Sequence, residues 1–400
     1  MIQLSQRAKN LKPSPTLALA AKARELQDRG EDVISLTVGE PDWPTYDFVI
    51  EAGIEALYQG HTRYVPANGI PELRKVIADA FSKETGLTVD FKSQVTVSAG
   101  AKFVLFSAMQ SLIDSGDEVI CPSPYWVSYP AMVELAEGVP VIAHCSKADQ
   151  FKLTPEILES KISAKTKLLI LNSPSNPTGM VYSEPELKAL SEVLVTYPKI
   201  TILSDDIYNR LYFSQKVAPH ILKVAPQLAD RVLCVNGVSK TYAMTGWRLG
   251  WGIGPSHIIK AMSDYQSQSV SCAPSFAQRA AITAILGGDN RVTESVRVLK
   301  GRINKAVDCA QKIAGLEPFA PQGAFYLWLG IERLLGKNHN GKLLRNSSDF
   351  AMELIESEKV VTVPGLDFGQ DGYLRLSVAL PDQQIVEAFS RIARFVSELT

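Results

Sequence analysis

The chain reads as an α/β protein with a large domain on a mostly parallel sheet and a smaller α+β domain. Two observations carry this. Short apolar runs alternate with amphipathic stretches through the middle of the sequence, and the pattern changes to long helices with a few late strands after about residue 277. A third observation bears on size: at 400 residues with 46% hydrophobic content, the chain is long enough for two cores.

In the alternating region, residues 94–97, 117–121, 139–143, 167–171, 199–203 and 231–235 are apolar runs of strand length. Residues 101–112 and 184–194 carry helical periodicity, the second after a Pro/Asn/Gly turn at 172–179. Residues 14–30 read as a helix stopped by Gly30, and 277–286, 293–314 and 382–399 as further helices. Strand-like pieces occupy 324–328, 360–363 and 373–377, and 335–348, rich in Gly, Asn and Lys, reads as an exposed loop. The expected division is 1–45 with the small domain, 46–285 as the large domain and 286–400 as the small one.

The formal net charge of -1 gives no electrostatic reason for nucleic acid or an anionic membrane as partner. The amino end has no apolar signal region, and no run is long enough to span a bilayer, so a cytoplasmic location is expected. Cys121, Cys145, Cys234, Cys272 and Cys309 are scattered without metal-ligand spacing and read as reduced thiols; no metal is expected.

The most informative residue is Lys240, after the apolar run 231–235 and a short turn, with Arg248 eight positions on. An unprotonated lysine amine condenses with an aldehyde, and an arginine suits a phosphate; together they are what a covalently held pyridoxal 5'-phosphate requires. Alone, such a lysine is more often a solvated surface group. Ligands of open parallel sheets bind beyond the carboxyl ends of strands, and this rule makes other residues converge. Ser98–Lys102 offers backbone N–H groups at a helix start, or is simply a glycine turn. Asp205 suits a protonated ring nitrogen, or caps a helix. Tyr208 can donate a hydrogen bond to the cofactor, and Trp126 can stack on its ring; the bland reading of both is core packing. Arg375 on the run 373–377 suits a substrate carboxylate, or faces solvent on an alternating strand. Gly250, Gly252 and Gly254 resemble part of a dinucleotide fingerprint, but the spacing is wrong and the stretch reads as a tightly packed strand.

Taken together, Lys12–Thr16, Leu36–Asp42, Tyr64–Arg74, Gly116–Ile120, Ser123–Pro130, Asn176–Gly179, Asp205–Tyr208, Ser239–Lys240, Gly246–Arg248, Pro321–Tyr326 and Arg375–Ser377 resemble a fold-type I, class I/II pyridoxal-phosphate aminotransferase. The resemblance is greatest to the bacterial aspartate aminotransferase subgroup Ib and spans nearly the whole chain. It implies a mostly parallel seven-stranded sheet and a homodimer with shared active sites. It implies that Lys240 is the lysine joined to the cofactor, that Asp205 partners its ring nitrogen and that Tyr208 meets its phenolic oxygen. Trp126 would stack, while Arg248, Ser239 and the backbone of Gly100, Ala101 and Lys102 hold the phosphate, with Tyr64 reaching that of the other subunit. Arg375, Asn176 and Gly39 would bind the substrate α-carboxylate.

A lysine at the position of Lys102, helped by Ser14–Thr16, implies a distal carboxylate and hence L-aspartate and L-glutamate with their 2-oxo acids. Aromatic amino acids or prephenate are the alternative. Two departures stand out: Asp206 replaces the usual Glu, and Phe103 stands where Gln or His is common. An NAD-dependent oxidoreductase or a regulatory binding protein are the competing classes. Both lack their motif here: the fingerprint is malformed, and no segment is left for a DNA-binding module.

Overall fold

The computed structural model describes residues 3–10 and 15–400. Its central feature is a seven-stranded sheet built from β1 (Val95–Ser98), β2 (Glu118–Ser123), β3 (Val139–His144), β4 (Thr166–Asn172), β5 (Thr201–Asp205), β6 (Val232–Gly237) and β7 (Gly250–Ile253). Their order is β1-β7-β6-β5-β4-β2-β3. The pairs from β6 to β3 are all parallel, and only β7 runs against its two neighbours. The mostly parallel sheet expected from the alternating pattern is therefore present.

The interior strands are apolar on both faces because helices cover both. Leu168, Leu169, Ile170 and Leu171 are all buried, with alternate residues entering the two cores on either side of the sheet. The helix Ala101–Leu112 contributes Val104, Leu105, Ala108 and Met109 to one of them. Its partner there is the helix Ser256–Ser267. The helix Glu184–Thr196 starts at a capping box, in which the Ser183 hydroxyl accepts from the Glu186 N–H and the Glu186 carboxylate accepts from the Ser183 N–H. The glycines of β7 mark close packing: a Cβ on Gly252 would sit 3.2 Å from Val104. The partial dinucleotide motif is thus a packed strand.

A second sheet of four strands holds the other core. Its order is β10 (Val363–Pro364), β11 (Tyr373–Ser377), β9 (Tyr326–Gly330) and β8 (Glu317–Phe319). The long helix Asp289–Gln311 packs on it, and the helix Asp382–Ser397 packs on that helix. The short strand Ile34–Ser35 pairs in parallel with Val360–Val361, which ties early chain to late chain. The run 360–363 is two short strands rather than one. Residues 335–348 are not a plain exposed loop. They contain a small hairpin, Asn338–His339 with Lys342–Leu343, and His339 is buried between Glu353 and Glu398. Among the described residues no helix is long and apolar enough to cross a membrane.

Candidate active site

The carboxyl ends of β1, β4, β5 and β6 open on one crevice, as the strand-end rule requires. It encloses a cavity of about 320 Å³ lined by Gly39, Ala101, Lys102, Trp126, Asn176, Asp205, Tyr208, Ser239, Lys240, Arg248 and Arg375. Most of the residues singled out in the sequence therefore share one space. Gly100 lies beside it, its backbone against the Arg248 guanidinium. Tyr64 does not reach it within this chain and is 90% exposed. Ser14 lies outside the described residues.

Lys240 sits just past β6, and its Nζ donates to the Gly39 carbonyl at 2.5 Å. Burial pushes its pKa down to about 8, with Arg248 and Arg375 adding to the shift and Glu40 and Asp205 opposing it. A buried ammonium is disfavoured by lost hydration. The neutral, nucleophilic amine is therefore far more populated near pH 7 than in a solvated lysine.

Asp205 ends β5 and is almost fully buried. Its carboxyl accepts from the Tyr129 hydroxyl at 2.6 Å and from the Ile207 N–H at 3.3 Å. Desolvation nevertheless raises its pKa to about 6. Asn172 donates to the Asp205 carbonyl at 2.9 Å and accepts from the Asn176 N–H at 2.9 Å, linking the ends of β4 and β5. A buried carboxylate with hydrogen bonds but no ion-pair partner suits a cationic ring nitrogen.

Tyr208 shares a 2.8 Å hydrogen bond with Tyr326, and burial holds both phenols protonated. Trp126 stands edge-on to Tyr129, with centroids 5.4 Å apart. The phosphate end fits as well. Gly100 precedes the helix Ala101–Leu112 with φ +87°, and no side chain caps that helix. Its first N–H groups are thus free to bind an anion. A Cβ on Gly100 would lie 2.6 Å from the Arg248 guanidinium, so the close approach needs glycine. Arg248 is itself exposed toward this corner.

Of the two readings of Arg375, the solvent-facing one is excluded by burial. The residue is 2% exposed on a strand buried on both sides. It donates to Asn176 Oδ1 at 3.0 Å and to the Thr37 carbonyl at 2.6 Å, and it lies 4.5 Å over the Tyr326 ring. Its Nε has no partner, and no carboxylate of the described residues pairs with it. A buried, uncompensated guanidinium costs several kcal/mol, by roughly the penalty for one desolvated ion. A carboxylate ligand would offset that cost.

Lys102 points its amine at the Trp126 ring, 5.0 Å from the centroid. Partial burial and the Arg248 charge both lower its pKa. Phe103 does not line the cavity; its ring contacts Phe106 at 5.9 Å. Sequence reasoning missed Tyr129, Asn172 and Tyr326. Tyr129 and Tyr326 stood inside quoted motifs, yet nothing in one dimension reveals that their hydroxyls meet Asp205 and Tyr208.

The model for aminotransferases of class I and II matches residues 31–392. The chain belongs to this family. It is 43% identical over 397 residues to a Rickettsia bellii protein named "Probable aspartate/prephenate aminotransferase", covering 99% of each chain. Its fold matches a crystal structure of the Rhizobium meliloti aspartate aminotransferase with TM-score 0.96 and 39% identity, covering 100% of both chains. It also matches the Thermus thermophilus aspartate aminotransferase with maleate at TM-score 0.91 and 38% identity, covering 99% of this chain and 100% of that one. The chain is an aminotransferase of fold type I, and the α/β reading with a seven-stranded sheet holds.

Proposed function

We propose that this aminotransferase holds pyridoxal 5'-phosphate and moves an amino group between L-aspartate or L-glutamate and the corresponding 2-oxo acids. The observation that carries it is the unpaired, buried guanidinium of Arg375 in the same 320 Å³ cavity as the Lys240 amine. When bound, the cofactor supplies an electron sink that stabilises negative charge at the substrate Cα.

The residues then divide the work. Lys240 would hold the cofactor, and its Nζ is the group placed to take the proton from the substrate Cα. Asp205, kept in place by Tyr129, holds a proton on the ring nitrogen. Tyr208 would donate to the phenolic oxygen, and Trp126 would cover one ring face. Arg248, Ser239 and the backbone of Gly100, Ala101 and Lys102 would hold the phosphate. Arg375 with Asn176 and Gly39 orients the α-carboxylate so that the Cα–H bond faces Lys240. Each half-reaction ends before the next substrate binds, so ping-pong kinetics follow.

For the distal carboxylate the reading rests on the Lys102 amine beside Trp126, with Thr16 and Ser14 as further contributors. That the Thermus thermophilus relative was solved with maleate, a dicarboxylate, supports this choice. A second reading, aromatic or prephenate substrates, is favoured by the name of the Rickettsia bellii relative. Tyr64, exposed here, would reach the phosphate of a second subunit, so a homodimer is part of the proposal. So are a cytoplasmic setting and the division into 46–285 and 286–400 with residues 1–45; the pairing of Ile34–Ser35 with Val360–Val361 favours that grouping. The test is a panel of amino donors with 2-oxoglutarate. Aspartate should exceed alanine and phenylalanine in kcat/KM, and a preference for phenylalanine would transfer the assignment to the aromatic reading.

A further inference from the structure

On the far side of β5 and β6 from Lys240, three side chains that no step above employs converge. Asp206 follows β5, Cys234 lies within β6, and His220 precedes the short helix Ile221–Val224. His220 Nε2 is 3.2 Å from Asp206 Oδ2 and 3.5 Å from Cys234 Sγ. The three ligand atoms all lie within 4.8 Å of one another. A tetrahedral zinc ion with ordinary bond lengths sets N–O and N–S edges of about 3.3 and 3.6 Å. The two distances from His220 match these edges.

Hydrogen bonding alone accounts poorly for the cluster. His220 Nδ1 accepts from the Leu222 N–H at 3.0 Å, so the ring's single proton in the neutral form sits on Nε2. That proton faces both the carboxylate and the sulfur. The contact to Asp206 is long for a charge-assisted bond, which is normally 2.7–2.9 Å. With Nε2 protonated, the Cys234 thiol cannot donate to it. A cavity of about 290 Å³ opens onto the same three residues and is also lined by Glu84, whose pKa is raised by burial. Its contact with Arg210 is a loose 3.7 Å.

We propose that Asp206, His220 and Cys234 form a binding site for a thiophilic divalent cation of the zinc class, with the fourth position open to the cavity. The donor set of thiolate, imidazole and carboxylate is that of zinc rather than of magnesium or calcium. Ser204, which donates to Asp206 Oδ1 at 2.8 Å, orients the carboxylate from behind. Binding expels the thiol proton and moves the imidazole proton from Nε2 to Nδ1. The second change forfeits the hydrogen bond from the Leu222 N–H. The cation would tie β5, β6 and the segment carrying His220 together beside Asp205 without entering the catalytic crevice.

The experiment uses the holoenzyme, stripped with a chelator and titrated with Zn²⁺ by calorimetry, followed by zinc-edge X-ray absorption. One zinc per chain with one sulfur neighbour is expected. Cys234→Ser should weaken binding more than about 100-fold, since even supporting residues around a metal are worth 10- to 100-fold. Cys272→Ser and Cys309→Ser, which alter the partly exposed thiols, should bind as the parent does. Wild-type protein whose zinc has no sulfur neighbour, or which takes up no zinc, would overturn the site. So would unchanged affinity in Cys234→Ser. Should that variant fold poorly, the absorption spectrum of the parent decides alone.

Discussion

Asp205 is the residue whose cost and use are most clearly opposed. In the cofactor-free protein its carboxylate is buried with no ion pair among the described residues, and desolvation raises its pKa from 3.8 to about 6. At 1.36 kcal/mol per unit, that shift corresponds to a ceiling of about 3 kcal/mol. The sign follows from proton binding. Between about pH 4 and 6 the folded protein holds a proton that the unfolded chain has released, so stability falls as pH rises through this window and stays low above it. Asp205→Asn removes the ionisation while keeping the packing. The amide oxygen can accept from the Ile207 N–H, and the Tyr129 hydroxyl can turn to accept from the amide nitrogen. The cofactor-free variant should therefore be more stable than the parent at pH 7.5 by about 1–3 kcal/mol, a rise of several degrees in Tm for a chain of this size. The gap should close near pH 4, where both proteins carry a neutral group. With cofactor bound the order should reverse, and turnover of the variant should be largely lost. Thermal denaturation of both proteins at both pH values, with and without cofactor, gives the result. An Asn variant less stable than the parent at pH 7.5 without cofactor, or a gap independent of pH, would refute the argument that burial strains this carboxylate.

Other consequences are as direct. The rate of covalent cofactor attachment to the stripped enzyme should climb about tenfold per pH unit up to about 8 and then level, because only neutral Lys240 reacts; a rise continuing past pH 10 would mean a solvated lysine. Arg375→Lys keeps the charge but loses the fork that reaches Asn176 and the Thr37 carbonyl. It should lower kcat/KM for every amino acid tested by roughly 10- to 100-fold, as loss of one charged hydrogen bond of about 1.5–3 kcal/mol requires. Lys102→Ala should lower kcat/KM for aspartate more than for alanine or phenylalanine, and equal losses would remove the basis for a dicarboxylate substrate.

Which features could be read in one dimension follows from how local their causes are. The helix 101–112 was legible to the residue because its periodicity, and the glycine that precedes its first turn, are written in adjacent positions. The strands were legible to within two or three residues, since buried parallel strands are unbroken apolar runs whose ends depend on neighbours. The crevice was legible because strand ends in a parallel sheet point one way, which turns four separate motifs into one place. What stayed hidden depends on contacts between distant segments. Arg375 alternates with leucines and looks like a surface charge, yet β9 and β10 flank its strand and a segment near Thr37 closes over it. Cys234 and His220 are 14 positions apart and match no metal spacing, because the sheet, not a loop, brings them together. Tyr129 lies 76 residues from the carboxylate it holds. In each case the polar group is buried at the crossing of two elements. A polar atom so placed finds its partner across the fold or in a ligand, and among the described residues Arg375 Nε has none.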